Sequence, residues 1–189
     1  MTAGAVISPC GRYRYVLARD LGLMGRGAVL FLMLNPSTAD ASEDDPTIRR
    51  CKGFAQTWGF ARLLVGNLYA YRATDPSALG LKRPPDPQVS HYEDRFHWGL
   101  PPSDPVGPEN DRHLIELSAQ ADKVVCAWGA HAKPDRVAHV VQLLGRDLHC
   151  IARTKAGAPA LLARRVAVRA VDSGRGAIRG ADRGRSEIR

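Results

Sequence analysis

A chain of 189 residues with 44% hydrophobic and 24% charged content is long enough to bury a proper core and reads as one soluble globular domain, with or without a tail. No stretch approaches the roughly 20 apolar residues of a membrane span, and no signal-like apolar region opens the chain, so the expected address is cytoplasmic with no membrane partner. The formal charge is +8, and residues 164–189 carry +5 of it through eight arginines against Asp172, Asp182 and Glu187. Such a tail suits a polyanion, nucleic acid first, and equally suits a solvated disordered end.

Arg12 to Ala18 sets Tyr13, Tyr15 and Leu17 against Arg12 and Arg14, a period of two that predicts a half-exposed strand at a sheet edge. Gly22, Gly25 and Gly27 then mark a turn. Val29 to Leu34 follows, six apolar residues with no alternation, the pattern of a strand covered on both faces. It stops at Asn35-Pro36-Ser37-Thr38. Ligands of open parallel sheets bind where loops leave the carboxyl ends of the strands, which makes this polar loop the first candidate site. Asp45-Pro46 is a helix start, with Asp45 as cap and Pro46 at a position that needs no N–H. Ile48, Cys51, Phe54, Ala55 and Trp58 give the helix one apolar face, and Gly59 ends it. Leu63 to Arg72 is a second buried strand one helix later, so a βαβ unit would bring Asn67, Tyr71 and Arg72 beside Asn35 and Ser37.

Residues 82–108 hold seven of the 13 prolines together with His91, His97 and Trp98, and read as a long loop or insertion over the binding edge. A helix resumes from Glu109 with Leu114, Leu117 and Ile115 as inward candidates. A third strand begins at Lys123 and ends near Trp128-Gly129, Pro134 opens another helix, and Asp147 to Ile151 makes a short fourth parallel strand. The alternation predicts an α/β fold, a three-layer α/β/α sandwich with a mostly parallel central sheet of about four to five strands. One domain would span 1–157. Residues 158–189 form an Arg/Gly/Ala-rich tail, either disordered or the product of a shifted reading frame in a GC-rich gene. Cys10, Cys51, Cys126 and Cys150 are scattered, and three lie in apolar patterns, which predicts free thiols rather than disulfides or a metal site.

Several residues carry both a chemical and a plain reading. Asn35 either holds a water or closes the turn with its own side chain. Ser37 and Thr38 either cradle phosphate near a helix start or form the turn itself. Asp40, Glu43, Asp44 and Asp45 are candidates for a cation or a base, with helix capping and solvated charge as the alternatives. Arg49 and Arg50 either meet phosphate or face solvent. Asn67 interrupts an apolar run, and a buried amide must find partners. His131 is a general acid or a structural strand-end residue, and Trp128 reads as core. The P-loop spacing and the nucleophile-elbow motif are both absent from the sequence.

Met33-Leu-Asn-Pro-Ser-Thr-Ala-Asp40, Asp44-Asp-Pro-Thr-Ile-Arg-Arg-Cys51, Asn67-Leu-Tyr-Ala-Tyr-Arg72, Gly107-Pro-Glu-Asn-Asp111 and Ala127-Trp-Gly-Ala-His131 occur in one order that resembles a bacterial and phage family, domain of unknown function 1643, over roughly residues 12–157. More distantly, Asn35-Pro36, Asn67 and Trp128-Gly-Ala-His-Ala132 resemble the uracil-DNA glycosylases. That second resemblance implies water positioning by Asn35, base-edge recognition by Asn67 and stacking by Tyr71 or Phe31. It also implies a role for His131, and contacts from Pro36, Ser37, Thr38, Asp40, Asp45, Arg49, Arg50 and Arg72 to the rest of a nucleotide. Neither metal nor organic cofactor is implied. The chain departs from the glycosylases in having no His beyond His149, where they carry a late His-Pro-Ser-Pro loop. The expected function is therefore nucleobase or nucleic-acid binding with glycosylase-like hydrolysis of an N-glycosidic bond. The alternatives are a non-catalytic nucleic-acid-binding module and a hydrolase or transferase acting on free nucleotides.

Overall fold

The computed structural model describes residues 4–22, 24–37, 44–80, 104–161 and the backbone of 169–171. The strands and helices are β1 (Gly4–Ile7), β2 (Arg14–Asp20), β3 (Ala28–Met33), α1 (Pro46–Thr57), β4 (Arg62–Asn67), α2 (Asn110–Gln120), β5 (Lys123–Cys126), α3 (Pro134–Leu144), β6 (Leu148–Cys150), β7 (Ala152–Arg153), β8 (Pro159–Ala160) and β9 (Arg169–Val171). Seven strands form one sheet in the order β1-β2-β4-β3-β5-β6-β9, and β7 and β8 pair as a separate hairpin. The β4-β3-β5-β6 centre is parallel, whereas the flanking β1–β2, β2–β4 and β6–β9 pairings are antiparallel. The sheet is wider than the four to five strands expected, because the short strands β1 and β9 are added at its two edges.

Alternate residues of the central strands feed two apolar clusters. Phe31, Met33, Leu63 and Val65 meet Ile48, Cys51 and Ala55 of α1. Leu30, Leu32 and Leu64 meet Leu114 and Leu117 of α2 and Val140 of α3. Gly66 lets α2 lie close on β4, since a Cβ there would stand 2.8 Å from Leu114 Cδ2. As read from sequence, Asp45 caps α1 by accepting the Ile48 N–H at 2.7 Å, and Pro46 opens the helix. Cys51, Cys126 and Cys150 are buried, Cys10 is exposed, and all four thiols are free.

Three expectations are corrected. The strand at 12–18 is neither half-exposed nor at the edge: β2 lies between β1 and β4, and Arg14 to Arg19 are all buried. A register shift against β1 turns Tyr15 and Val16 into the same cluster, which breaks the alternation that the sequence displays. Ile115 points outward at 48% exposure, the inward positions of α2 being taken by Leu114 and Leu117. Phe31 is not available to stack on a ligand, because it is fully buried against the Trp58 ring at 6.0 Å. No helix among the described residues is long and apolar enough to cross a membrane. Thr38, Asp40, Glu43, His91, His97, Trp98 and most of the 158–189 tail lie outside the described residues.

Candidate functional site

The loop leaving β3 and the segment leaving β4 run side by side at the carboxyl edge of the sheet. Met33 pairs with Asn67, the Leu68 and Tyr69 N–H groups donate to the Met33 and Leu34 carbonyls, and the Ala73 N–H donates to Pro36 O at 3.0 Å. The Asn35 amide nitrogen completes this seam, donating to Ala73 O at 2.7 Å and to Pro36 O at 3.2 Å. The side chain that sequence offers as a water holder therefore spends its donor group on joining two loops.

Ser37 reaches the other way. Its hydroxyl donates to Asp45 Oδ2 at 2.7 Å, while Asp45 Oδ1 caps α1. The amino terminus of α1 is thus met by its own carboxylate, where a bound phosphate would otherwise be welcome. Asp44 has both oxygens occupied, by Arg19 Nε at 2.8 Å and Lys52 Nζ at 2.7 Å. Burial alone would raise its pKa, but the hydrogen bonds from Lys52 and Arg19 outweigh that and hold it below the ordinary 3.8. Such a carboxylate serves as a clasp between β2 and α1 rather than as a base. Arg49 donates to the Asp44 carbonyl from an exposed position, and Arg50 is exposed as well.

Asn67 and Arg14 are the two polar side chains buried deepest on the α1 side of this edge. Asn67 follows Leu63 and Val65 on their face of β4, is 1% exposed, and has no hydrogen-bond partner for its Oδ1 among the described residues. Arg14 is likewise 1% exposed. Burial pushes its guanidinium down to about 10; the Asp45 carboxylate opposes the shift, and the charges of Arg72 and Arg19 add to it. It remains a cation at neutral pH. The edge therefore holds a buried amide acceptor on the same face as the Arg14 guanidinium, with the Asp45 carboxylate and the Arg72 and Arg19 charges acting on that cation.

The opposite face holds the same segment in place. Asn110, fully buried at the start of α2, donates to the Asn67 and Leu68 carbonyls at 3.0 and 3.2 Å. Arg136 Nε adds a bond to Leu68 O at 2.8 Å and pairs through its other end with Asp111 at 2.6 Å. His139 closes on the second Asp111 oxygen at 2.7 Å. Further along, Tyr71 packs edge-on to Tyr13 with centroids 6.0 Å apart, and Arg72 donates to Gly11 O at 3.0 Å. Tyr13 stacks in turn on Tyr15, and Tyr15 on His113.

The structure thus gathers Asn35, Pro36, Ser37, Asp45 and Asn67 around the ends of β3 and β4, with Tyr71 and Arg72 against the β1–β2 turn. His131 stands apart, exposed on the turn after β5, while Trp128 is buried as core. Arg14 and Asn110 are the site residues that sequence reasoning missed. The signal for Arg14 was an arginine inside a strand flanked by apolar residues, and for Asn110 the Gly107-Pro-Glu-Asn-Asp111 stretch itself. Among the described residues, no group of three His, Cys, Asp or Glu side chains stands close enough to hold a metal ion.

The chain belongs to the family described as protein of unknown function (DUF1643), whose model matches residues 14–160. That span runs from Arg14 through Asn35, Asn67 and Asn110 to the β7–β8 hairpin. Neither the comparison with curated proteins nor that with solved structures returned a match.

Proposed function

We propose, from the geometry at the ends of β3 and β4, that this domain binds a nucleobase or nucleotide at the carboxyl edge of its sheet and hydrolyses an N-glycosidic bond in the manner of a glycosylase. The observation that carries the proposal is the Asn67 side chain, 1% exposed with its Oδ1 unpartnered. A buried acceptor without a donor costs roughly 1–3 kcal/mol, and a ligand presenting an N–H at that point would recover it. A base edge offers such a donor beside an acceptor, which suits the two-sided chemistry of an amide. The exposed Arg49 and Arg50 of α1 suit the phosphate, and Tyr71 supplies an aromatic flank. In this reading the two apolar clusters and their helices make a three-layer sandwich, the protein is cytoplasmic, and neither metal nor organic cofactor is required.

A second reading, a nucleic-acid-binding module without chemistry, is favoured by two observations. The Asn35 amide nitrogen is committed to the Pro36 and Ala73 carbonyls. His131 is exposed, and its side chain forms no hydrogen bond or ion pair with any described residue that would orient it as an acid. The two readings separate in one experiment. Labelled single- and double-stranded DNA is incubated with the protein, treated with alkali and resolved by size. Strand breaks that disappear in Asn35→Ala and Asn67→Ala support hydrolysis. Binding that Asn67→Ala abolishes, without breaks, leaves the binding module. Absence of both binding and breaks with DNA and mononucleotides alike refutes the nucleobase site.

A further inference from the structure

Two loops on the same edge of the sheet as Asn67 carry basic groups that the proposed base site does not use. The turn after β5 bears His131 and Lys133, and the β7–β8 hairpin bears Arg153 and Lys155; all four are exposed. A main-chain bond locks the loops together, Gly129 N–H donating to Pro159 O at 2.8 Å, and Arg153 pairs with Pro159 across the hairpin. The hairpin tip is itself closed by three hydrogen bonds, with Thr154 N–H donating to Ala158 O, Gly157 N–H to Thr154 O, and Ala158 N–H to the Thr154 hydroxyl. Gly157 has φ of +83°, a conformation that side-chain-bearing residues rarely adopt. Lys133 is fixed at its backbone, where its N–H donates to the Tyr69 hydroxyl two residues beyond Asn67. These cations therefore stand on rigid supports.

Lys133 and Lys155 also differ from most arginines and lysines of the sheet and helices. Arg19 and Lys52 are taken by Asp44, Arg62 by Asp20, Arg112 by Glu109 and Glu116, and Arg136 by Asp111. The Lys133 and Lys155 ammonium groups make no ion pair with any described residue. The acidic neighbour, Asp135, lies in the first turn of α3, where its charge complements the helix amino terminus. Because β5 and β6 run parallel to β4, both loops open on the same sheet edge as Asn67. They lie two and three strands away, about 10–15 Å at ordinary strand spacing.

We infer that this face is a track for the phosphate backbone of single-stranded nucleic acid, so that the ligand of the Asn67 pocket is a base carried in a strand rather than a free nucleotide. The inference rests on the nucleobase reading of that pocket and adds the surface and the polymer. Phosphates on this face would meet compact cations, each contributing to affinity through counterion release and none reading sequence. A single strand presents its bases already unstacked, so a buried amide can take one without first opening a duplex.

The test compares the full chain with the double variant Lys133→Gln/Lys155→Gln and with Asn67→Ala. Each is titrated with a short mixed-sequence single-stranded DNA over a range of salt concentrations, and separately with the deoxynucleoside monophosphates. Circular dichroism confirms that each variant is folded. The expected result is a wild-type affinity that falls steeply with salt, and a log–log slope shallower by about 1.4 in the double variant, at about 0.7 per lost phosphate contact. Affinity at low salt would drop on the order of tenfold or more while mononucleotide binding stays unchanged. Asn67→Ala would lose the mononucleotide and keep the salt slope. A double variant with wild-type slope and affinity overturns the track and leaves the pocket standing. So does a wild-type protein that binds mononucleotides but not the strand. Failure to bind either removes both.

Discussion

Replacing Asn67 by Val separates a residue kept for function from one kept for the fold. In the structure the side chain is buried, its Oδ1 has no partner, and its neighbours on the same face of β4 are Leu63 and Val65. Removing an unsatisfied buried acceptor returns roughly 1–3 kcal/mol. Val is somewhat larger than Asn, and overpacking takes back about 1 kcal/mol at the lower end of its usual range. Val also suits a buried strand, a small further gain. The balance is about 1 kcal/mol of added stability, which in a domain of this size raises Tm by roughly 2–4 °C. An amide placed for the fold would behave oppositely, since losing satisfied hydrogen bonds costs stability. The assay is thermal and urea unfolding followed by circular dichroism, paired with nucleotide titration. Greater or equal stability with lost binding is the expected pair of results. A loss of more than about 1 kcal/mol would refute the reasoning, because it would mean that Asn67 is already satisfied within the folded chain.

The other predictions concern the groups that hold the edge together. Asp44 has a folded-state pKa below the ordinary 3.8, so the unfolded chain binds its proton more readily than the folded one. Its contribution is therefore complete above the ordinary value and lost as pH falls through the lowered one. Asp44→Asn should flatten the acid limb of the stability–pH curve below about pH 4 and lower neutral-pH stability, both readable from urea midpoints. Asn110→Ala should cost roughly 2–3 kcal/mol, because the buried Asn67 carbonyl loses its side-chain donor, and should weaken nucleotide binding beyond what the stability loss explains. Gly66→Ala sets a Cβ 2.8 Å from Leu114 Cδ2 and 3.2 Å from Leu117 Cδ1, and should destabilise by about 1–3 kcal/mol in the same unfolding assay. The hydrogen bonds from Ser8 and Arg12 bring the exposed Cys10 thiol down to about 7, whereas burial pushes Cys51 up to about 12. Brief alkylation of the native protein, mapped by mass spectrometry, should mark Cys10 well before Cys51, Cys126 or Cys150, and Ser8→Ala should slow it.

The parallel centre was legible in the sequence because its strands obey the simplest physical rule: runs such as Val29 to Leu34, covered on both faces, have no polar side to display. The first helix was legible for a similar reason. Asp45, Pro46 and the Ile48-Cys51-Ala55 spacing act locally and need no tertiary knowledge. The flanks were not legible. β1 and β9 are strands of four and three residues, too short to display a period of their own, and β2 displays an alternation that the β1 register shift overrides. An arginine in a strand is ordinarily read as facing water, and Arg14 defeats that reading because it lies on an interior strand, between β1 and β4, and is 1% exposed.

The candidate site was legible where sequence and environment conflict. Asn67 stands in an apolar run that would have been served better by Val, and the structure leaves its acceptor unmet rather than resolving the conflict with a partner. Asn35 sent a comparable signal and turned out otherwise, since its amide nitrogen finds two carbonyls and closes a seam. Sequence could not tell the two amides apart, because satisfaction depends on what the β4 segment brings within 3 Å and not on the residue's own neighbours. Asn110 lies on the opposite face and holds the Asn67 carbonyl at 3.0 Å through its amide nitrogen, while its own Oδ1, like that of Asn67, has no partner among the described residues. In the proposed reading, the anchored backbone and the open acceptor of Asn67 hold that side chain ready for a ligand, and the Asn67→Val comparison tests it.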